Sequence, residues 1–549
     1  MFKKKKTIAI LLASLLLISS ILTGCGGTKK TDGDKDASKQ GSTEKMKLHV
    51  FGPAKNSKYI KFDERDKYPV WKEVQKMIDE ANLDIEYELV PAEQYDVVIK
   101  TKMASGSGLP DIVNISALDN TTALNLAKQG TILELNSLID KYDNGNIKKM
   151  YNETFPFAKK LTTSADGNMY WFSNLHKKTY KGTEPAPVAL TMLIRKDWLD
   201  KLSLPVPTTA EEYLQTLKKM KENDANGNGV KDEVLYYDPS MFNGEIAQWF
   251  GLGTDITSVD VENNKVVSPW YQPGVKDYFA YLQRLVKEGV LDTSLVGSTW
   301  EQRQQKVIEN KISSLHEYNL ADYLEPTIQG AENPEYIPLM PLKAKDGIEP
   351  AAQLEPPFLV WLKYAVTKDC KNPEAAIAFF DIIYSEKFAN LGFWGIEGET
   401  YKKNEDGANV FINNGSEEEQ AASGKITGNQ LFGDTVFPRV QFSNLEYELD
   451  PNRVSKARSE NELKVMGYKP YFPSMNTNFL AIPSEEQLEE KTKILNNLTT
   501  YSTELATKLA LGQKSLDDWD QYMAELKKLG LDRLIEIDQQ LLDRYNSLE

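Results

Sequence analysis

Cysteine and histidine are scarce in this chain of 549 residues, and their scarcity excludes two kinds of site. The cysteines are Cys25 and Cys370, so that once Cys25 is modified no disulfide forms within the chain. The histidines His49, His176 and His316 are widely separated in the sequence, and this separation disfavours a histidine-based zinc site.

Positive charge is also in deficit. Lys and Arg number 65 against 80 Asp and Glu, which gives a formal net charge of -15. An acidic surface disfavours nucleic acid as a partner and disfavours electrostatic adhesion to an anionic membrane. We therefore expect no nucleic-acid binding and no membrane attachment through charge alone.

Motifs of common catalytic sites are absent from the sequence. It contains no G-x-S-x-G elbow, no P-loop and no H-E-x-x-H helix, so nucleophilic, phosphoryl-transfer and zincin chemistry have no support. A surface glycoside hydrolase would need two facing carboxylates. Glu397 and Glu399 are the nearest such pair, but they lie in a glycine-rich loop that offers no neighbouring group to tune them. Catalysis is therefore the least favoured alternative, and we predict that the protein is not an enzyme.

The chain begins with a cationic segment followed by an apolar one. Four lysines at residues 3–6 precede an apolar run at residues 7–22, and Thr23-Gly24 leads into Cys25. This pattern is typical of a bacterial lipoprotein signal peptide, so we predict removal of residues 1–24 and acylation of Cys25 with palmitate. The apolar run is too short for a stable transmembrane helix, and an uncleaved signal anchor is the alternative.

A polar segment separates this signal from the folded protein. Residues 25–45 are rich in Gly, Ser, Thr, Lys and Asp and contain no aromatic residue. Such a composition does not bury enough surface to fold, which predicts a flexible tether. We expect the mature protein to be lipid-anchored at the extracytoplasmic face of the cell membrane.

Hydrophobic periodicity after the tether predicts alternating strands and helices. Residues 46–50 alternate apolar and polar side chains, residues 70–81 carry apolar side chains at helical spacing, and residues 83–89 return to alternation. This order predicts a βαβ unit with parallel strand pairing. Capping signals at Thr209 and Asn372 open further helices. Because the chain is too long for one core, we predict an α/β fold with two lobes.

Short segments along the chain carry, in their joint order, a resemblance to a known family. They are residues 104–112, 195–202, 372–376, 395–399 and 516–520, with the sequences ASGSGLPDI, RKDWLDKL, NPEAA, GIEGE and LDDWD. Their order is similar to that of the family 1 extracellular solute-binding lipoproteins of ABC importers, particularly the LipO-like branch. The resemblance covers nearly the whole chain.

The resemblance implies a two-lobed, type II periplasmic-binding-protein-like clam-shell with hinge crossovers. Its N-terminal lobe would comprise residues 46–165 and about 355–440, and its C-terminal lobe about 171–345 and about 441–549. The lobes would close over a small solute and deliver it to the transmembrane subunits of an ABC permease. The aromatic content favours an oligosaccharide as the solute, and we expect a monomer. A lipoprotein that senses ligand for a membrane kinase is the alternative.

Residues 224–233 form the most distinctive local pattern of oxygen-bearing side chains in the sequence. Oxygen-bearing side chains occupy alternate positions and Gly229 occupies the sixth place, as in a calcium-binding loop. Leu235 replaces the EF-hand glutamate of the twelfth place. The loop is similar to the calcium loop of alginate-oligosaccharide-binding members of the family, and a polar turn is the alternative. We predict a structural calcium ion with ligands from Asp224, Asn226, Asn228, Val230, Asp232 and Glu233.

The candidate ligand site combines aromatic and polar side chains, because sugars present apolar C–H faces and hydroxyl groups. Trp171 lies where the resemblance places a first crossing strand, and Trp394 lies in a glycine-flanked loop. Core packing is the alternative for each tryptophan, since large aromatic side chains are usually buried. The predicted ligand-binding residues are Trp171, Asn174, Asp238, Trp249, Glu317, Tyr318, Trp394 and Glu397.

Overall fold

The computed structural model describes residues 44–548 with a set of gaps. The gaps are residues 56, 180–191, 240–241, 243–244, 317–327, 354–357, 360–361, 406, 408, 445–471 and 478–479. The predicted signal peptide, Cys25, almost all of the tether, Glu317 and Tyr318 therefore lie outside the described residues. Lys45–Glu549 form one compact unit.

The described strands are short and spread along the whole chain. They are β1 Met46–Pro53, β2 Leu83–Val90, β3 Ile112–Asn114, β4 Leu175–Thr179, β5 Met192–Arg195, β6 Val234–Tyr236, β7 Ser258–Asp260, β8 Lys265–Val267, β9 Ile312–His316, β10 Tyr336–Pro338, β11 Ala351–Gln353, β12 Phe358–Leu359, β13 Tyr364–Val366, β14 Tyr401–Lys403, β15 Asn409–Phe411, β16 Val440–Asn444 and β17 Phe472–Asn476.

Helices alternate with these strands, as expected of an α/β fold. They are α1 Pro69–Glu80, α2 Ala92–Ser105, α3 Asn120–Lys128, α4 Asn136–Tyr142, α5 Asn146–Lys149, α6 Pro156–Thr162, α7 Lys196–Lys201, α8 Ala210–Glu222, α9 Glu245–Trp249, α10 Val275–Lys287, α11 Trp300–Ile308, α12 Pro373–Ile383, α13 Glu386–Phe393, α14 Glu417–Ser423, α15 Gly428–Leu431, α16 Glu485–Ala510, α17 Trp519–Lys528 and α18 Leu531–Ser547. Short 3₁₀ or π turns occur at Phe62–Lys67, Met150–Thr154, Pro269–Tyr271, Thr293–Leu295 and Leu516–Asp518.

The strand, helix and strand predicted at the start of the folded chain are confirmed. β1 pairs in parallel with β2 and, on its other side, with β3, while β13 is antiparallel to β3. The sheet order is β13-β3-β1-β2. Parallel strands need a crossover connection, and a helix with one apolar face supplies it. The buried face of α1 consists of Val70, Trp71, Val74, Met77 and Ile78.

A segment far along the chain completes this first lobe. α12 begins at the predicted N-cap Asn372, whose side chain accepts a hydrogen bond from the Ala375 N–H at 3.2 Å. Phe380, Phe388 and Phe437 join the buried residues of the first sheet in one hydrophobic cluster. Burial of each large apolar side chain contributes about 1.5–3 kcal/mol, so these distant residues are essential to the core of the lobe.

The second lobe is built on the sheet β10-β5-β9-β6. β6 is parallel to β9, whereas β5 is antiparallel to both β9 and β10. The predicted capping box of Thr209 and Glu212 opens α8 beside this sheet. Leu505 of α16 and Leu526 of α17 share a hydrophobic cluster with Met192 of β5. The C-terminal helices therefore contribute to the core of the second lobe.

A third sheet has the strand order β12-β4-β16. β4 pairs antiparallel with β12 and parallel with β16. Leu175, the first residue of β4, belongs to the hydrophobic cluster of the first lobe, whereas Met192 of the following strand belongs to that of the second. The strands of this sheet, which we call the crossing strands, are therefore candidates for the predicted hinge crossovers. The hinge and the residue boundaries proposed for each lobe stay predictions.

The remaining sheets are peripheral to the crossing strands. β11, β17, β7 and β8 form a sheet in that order, and β14 pairs with β15. Helices in the described part of the chain all lack the combination of length and apolar composition that a bilayer crossing requires.

Two carboxyl groups meet in the core of the first lobe. Asp381 of α12 is buried and accepts hydrogen bonds from the Asn146 backbone N–H at 3.0 Å and from Asn146 Nδ2 at 2.9 Å. Burial raises the pKa of the Asp381 carboxyl, and its contact with Asp143 raises it further. The folded state therefore favours the protonated form of Asp381 more than the unfolded state does.

The raised pKa makes stability fall as the pH rises, because Asp381 must ionise beside Asp143. The contribution is complete below the unfolded pKa of an aspartate and is lost as the pH passes through the folded value. We expect the unfolding free energy of the wild-type protein to fall, relative to that of Asp381→Asn, as the pH rises above the ordinary pKa of an aspartate, about 3.9. Urea unfolding at each pH measures this difference. Asp346→Asn, at an exposed carboxyl group, is the control, and a difference that does not vary with pH would contradict the prediction.

Candidate functional site

One edge of the first sheet gathers polar groups. β1, β2 and β3 are parallel and end at this edge, and the antiparallel β13 begins there. Asn114, the last residue of β3, donates from Nδ2 to the Thr435 carbonyl at 2.9 Å and accepts the Ser116 N–H at 3.0 Å. The Lys363 N–H donates to Ser116 Oγ at 2.9 Å. These bonds hold the rim of the first lobe in one arrangement.

Basic and acidic side chains alternate on the same rim. Lys55, just beyond β1, donates a hydrogen bond to the Asn429 carbonyl. Burial lowers the pKa of Lys55 to about 8, with Arg439 also lowering it and Asp434 and Glu417 opposing the change. Arg439 forms an ion pair with Asp434. The two cations are thus matched by two carboxylates.

The corresponding edge of the second sheet carries Glu245 and His316. β6 and β9 are parallel and end at this edge, where His316 is the last residue of β9 and pairs with Met192 at the start of β5. Glu245, the first residue of α9, is 4 % exposed and bonds to His316 Nδ1. The Tyr237 ring lies 6.5 Å from the imidazole.

Both edges adjoin the crossing strands. β5 follows β4 along the chain and begins at the edge that carries His316, while β13 follows β12 and begins at the edge that carries Asn114. In open α/β sheets, ligands bind outside the carboxyl ends of the strands. The two polar edges are therefore the candidate walls of a ligand cleft.

The predicted tryptophans are all buried. Trp171 is 3 % exposed, Trp249 is 1 % exposed and Trp394 is 7 % exposed. The ring of Trp249 meets that of Tyr213 edge-on at 5.0 Å, and the ring of Trp394 lies 4.6 Å from that of Phe411. This burial favours the packing alternative for all three tryptophans, and ligand contact by any of them stays a prediction.

The polar residues of the predicted site are dispersed. Asn174 is buried and accepts the Leu362 N–H through Oδ1 at 2.9 Å, which positions the chain entering the crossing sheet. Asp238 is half-buried after β6, and Glu397 is exposed near Tyr401. The structure does not bring these three side chains together, and their contact with a ligand stays a prediction.

Sequence reasoning missed Lys55, Arg439, Glu245 and His316. The prediction came within one residue of His316, because Glu317 was placed at the end of a short strand. No local pattern marks Glu245, since its partner is 71 residues away in the sequence.

The oxygen-rich loop adopts the turn that its glycines predict. Gly229, at the sixth place, has φ of 83°, a left-handed conformation that favours glycine. Asp224 accepts the Asn228 N–H at 3.1 Å and the Gly229 N–H at 2.9 Å. Asn226 Oδ1 accepts the Asn228 N–H at 3.0 Å, and Asn228 Oδ1 accepts the Val230 N–H at 2.7 Å. These bonds turn the side-chain oxygens inward.

Glu233, at the C-terminal end of the loop, bonds back to the backbone of Asn226. Its Oε1 accepts the Asn226 N–H at 3.0 Å, while its buried Oε2 has no hydrogen-bond partner in the part of the chain that the structure describes. Burial raises the pKa of Glu233, and the charges of Asp224 and Asp232 add to the rise. Within the described residues, no group of three or more His, Cys, Asp or Glu side chains is arranged to hold a metal ion. Leu235, at the twelfth place, is buried in β6.

The fold and the chain order match a known protein family. The family of bacterial extracellular solute-binding proteins matches residues 64–389, which is more than half of the chain. The chain belongs to this family. The resemblance identified from short segments of the sequence is thereby confirmed.

Curated relatives of this solute-binding protein span most of its length. It is 24 % identical over 473 residues to the fructooligosaccharide ABC transporter substrate-binding protein FusA of Streptococcus pneumoniae serotype 4 (strain ATCC BAA-334 / TIGR4), covering 83 % of this chain and 84 % of FusA. It is 24 % identical over 413 residues to the polygalacturonan/rhamnogalacturonan-binding protein YtcQ of Bacillus subtilis (strain 168), covering 72 % and 74 %. Lipoprotein LipO of the same strain is 23 % identical over 303 residues, covering 53 % and 51 %.

Solved structures share the fold of this solute-binding protein. S. pneumoniae FusA in complex with kestose has a TM-score of 0.68 and 21 % identity, covering 92 % of this chain and 100 % of that one. A FusA EF-hand mutant in complex with fructo-nystose has a TM-score of 0.67 and 20 % identity, with the same coverage. Alginate-binding protein AlgQ2 without calcium ion has a TM-score of 0.64 and 22 % identity, covering 91 % and 99 %. These likenesses confirm the predicted two-lobed α/β binding-protein fold.

Proposed function

We propose that the protein binds an oligosaccharide outside the cell and delivers it to an ABC permease. The observation that carries this proposal is the alignment with FusA, which spans more than four fifths of both chains. A ligand that touches both polar edges would stabilise the closed arrangement of the lobes by its differential affinity for it. The permease would then distinguish the loaded protein from the empty one by shape.

The chemistry of the two edges supports a sugar. The Asn114 amide and the Ser116 hydroxyl lie on one edge, where they bond to each other and to the backbone, and the carboxylate of Glu245 lies on the other. Sugar hydroxyl groups both donate and accept hydrogen bonds, so they match a mixed set of this kind. The polar rims are already held in place by internal hydrogen bonds, which lowers the entropic cost of binding.

Binding of a neutral or acidic oligosaccharide should raise the melting temperature of the protein from Lys45 onward. A ligand that binds only the folded state, at about 100 times its Kd, adds about 2.7 kcal/mol of stability. Differential scanning fluorimetry with kestose, nystose, trigalacturonate and an alginate trisaccharide measures the shift, with sorbitol as the control. Absence of a shift with every sugar, or shortening of any sugar seen by chromatography, would contradict the proposal.

A calcium ion in the loop of residues 224–233 is the second part of the proposal. The buried, unpartnered Oε2 of Glu233 supports it, because a buried carboxylate oxygen is costly without a donor or a cation. The loop offers carboxylate, amide and carbonyl oxygens, which are the ligands that calcium prefers. When bound, the ion would offset the repulsion among the carboxylates of Asp224, Asp232 and Glu233 and so brace α8 against β6.

Glu233→Gln should remove the effect of calcium without unfolding the protein. Wild-type protein should melt at a higher temperature with calcium than with EGTA, whereas the variant should melt at the same temperature in both. In EGTA the variant should be at least as stable as wild type, because burial disfavours the charged form of Glu233. Glu222→Gln, an exposed carboxylate of α8, is the control. The calcium proposal would be contradicted if elemental analysis found no calcium and EGTA left the melting temperature of the wild-type protein unchanged.

Attachment to the membrane through an acylated Cys25 is the third part. It rests on the sequence pattern of residues 1–25 and on the alignment with Lipoprotein LipO. The family is extracellular, so the folded unit would face the outside of the cell.

Cys25→Ser should move the protein from the membrane fraction to the soluble fraction. A serine does not accept the thioether-linked lipid, so the chain would lose its hydrophobic anchor. Partition between the aqueous and detergent phases of Triton X-114 measures the change. Cys370→Ala, at the buried second thiol, should still enter the detergent phase. A Cys25→Ser protein that remains in the detergent phase would refute the anchor.

A further inference from the structure

Glu245 carries a buried oxygen that is not satisfied within the protein. The residue is 4 % exposed, and its Oε1 meets no hydrogen-bond donor in the described part of the chain. A buried carboxylate oxygen without a donor is strongly unfavourable, and such a group in a native protein needs an explanation, such as a functional role or a water or ion that supplies the missing partner. The oxygen lies at the carboxyl edge of the second sheet, one of the two walls of the candidate cleft.

His316 fixes the position of this carboxylate. Glu245 Oε2 and His316 Nδ1 are hydrogen-bonded, and a carboxylate oxygen only accepts, so the imidazole N–H donates. His316 ends β9 and is held in register by its pairing with Met192. The hydrogen bond therefore fixes the carboxylate group of Glu245 relative to the sheet, and His316 acts as a positioning residue.

The described residues around Glu245 include His316 and tyrosines. Its ion-pair partner in the described structure is His316. Burial raises the pKa of Tyr213 and Tyr237, and the charge of Glu245 adds to both rises. Arg303 donates to Tyr236 OH, and Tyr236 packs in a different hydrophobic cluster from Tyr237.

The polar edge of the first sheet offers little excess positive charge to an acidic sugar. Lys55 and Arg439 are accompanied by Asp434 and Glu417. Lys363, the third basic residue of this edge, donates to the Leu118 carbonyl at 3.0 Å, and burial lowers its pKa. An acidic sugar would thus gain little at this rim and would be repelled at Glu245. A neutral sugar would instead supply a hydroxyl donor to Oε1.

We propose that Glu245, positioned by His316, accepts a hydrogen bond from a hydroxyl group of an uncharged sugar unit and thereby selects neutral over uronic-acid oligosaccharides. This inference rests on the proposed oligosaccharide-binding function. It assigns the discrimination to one acceptor atom, Oε1, and not to the tryptophans, which are packed in the cores.

The test compares Glu245→Gln with wild type by isothermal titration calorimetry. The protein from Lys45 onward is titrated with kestose and nystose as neutral sugars and with trigalacturonate and an alginate trisaccharide as acidic ones. Wild type should bind a neutral sugar most tightly, and the variant should bind that sugar about tenfold or more weakly, as expected for loss of a hydrogen bond to a charged acceptor. The ratio of neutral to acidic affinity should fall in the variant. Glu489→Gln, at an exposed position of α16, should bind as wild type does.

Other outcomes separate the two proposals. If the ligand-free variant melts no lower than wild type while affinity falls, a purely structural role is excluded, because loss of a structural bond would lower the melting temperature. A wild-type preference for an acidic sugar, or a variant with the affinities of Glu489→Gln, would overturn the role of Glu245 and leave oligosaccharide binding intact. Failure of wild type to bind every sugar would overturn the proposed function itself.

Discussion

Strand direction is the constraint on which the rest of the structure depends. Because β1, β2 and β3 are parallel, their carboxyl ends share one edge of the first sheet. Because β6 and β9 are parallel, their carboxyl ends share one edge of the second sheet. The antiparallel strands β13 and β5 begin at these same edges, each after a crossing strand. The strands that precede β5 and β13 along the chain, β4 and β12, pair with each other in one sheet. The polar rims are consequences of this topology.

Two buried carboxylates carry an energetic cost in the folded protein. Glu233 and Glu245 each keep one oxygen without a hydrogen-bond partner among the described residues, at a cost of about 1–3 kcal/mol for each group. The surrounding cores, with their large aromatic clusters, are extensive enough to offset such a cost. The loop of residues 224–233 holds Glu233 in place, so a cation would meet a preformed acceptor there. The edge of the second sheet holds Glu245 in the same way for a hydroxyl group.

Local features of the fold were predictable from sequence, and long-range features were not. The apolar face of α1 and the caps at Thr209 and Asn372 depend on residues a few positions apart, and the same is true of the turn at Gly229. The ligand site depends on which strands pair. His316 ends β9, and Glu245 follows β6, the strand that lies beside β9, and hydrophobic periodicity does not encode that neighbour. Residue type alone does not distinguish a buried tryptophan from a ligand-facing one, so ligand contact by the tryptophans stays a prediction.

Residues 480–482 connect the two lobes through buried apolar side chains, and this connection is stronger than the exposed ion pair beside it. Leu480 belongs to a cluster with α18 of the second lobe, whereas Ile482 belongs to a cluster with the first sheet. The nearby ion pair between Lys128 and Glu485 is exposed on both sides and contributes about 0–1 kcal/mol. Opening of the lobes could break that pair at little cost, but withdrawing Ile482 would expose apolar surface worth about 1.5–3 kcal/mol. The segment around Ile482 is therefore expected to bend while its anchor stays buried, so that ligand binding, and not surface charge, sets the balance between open and closed forms.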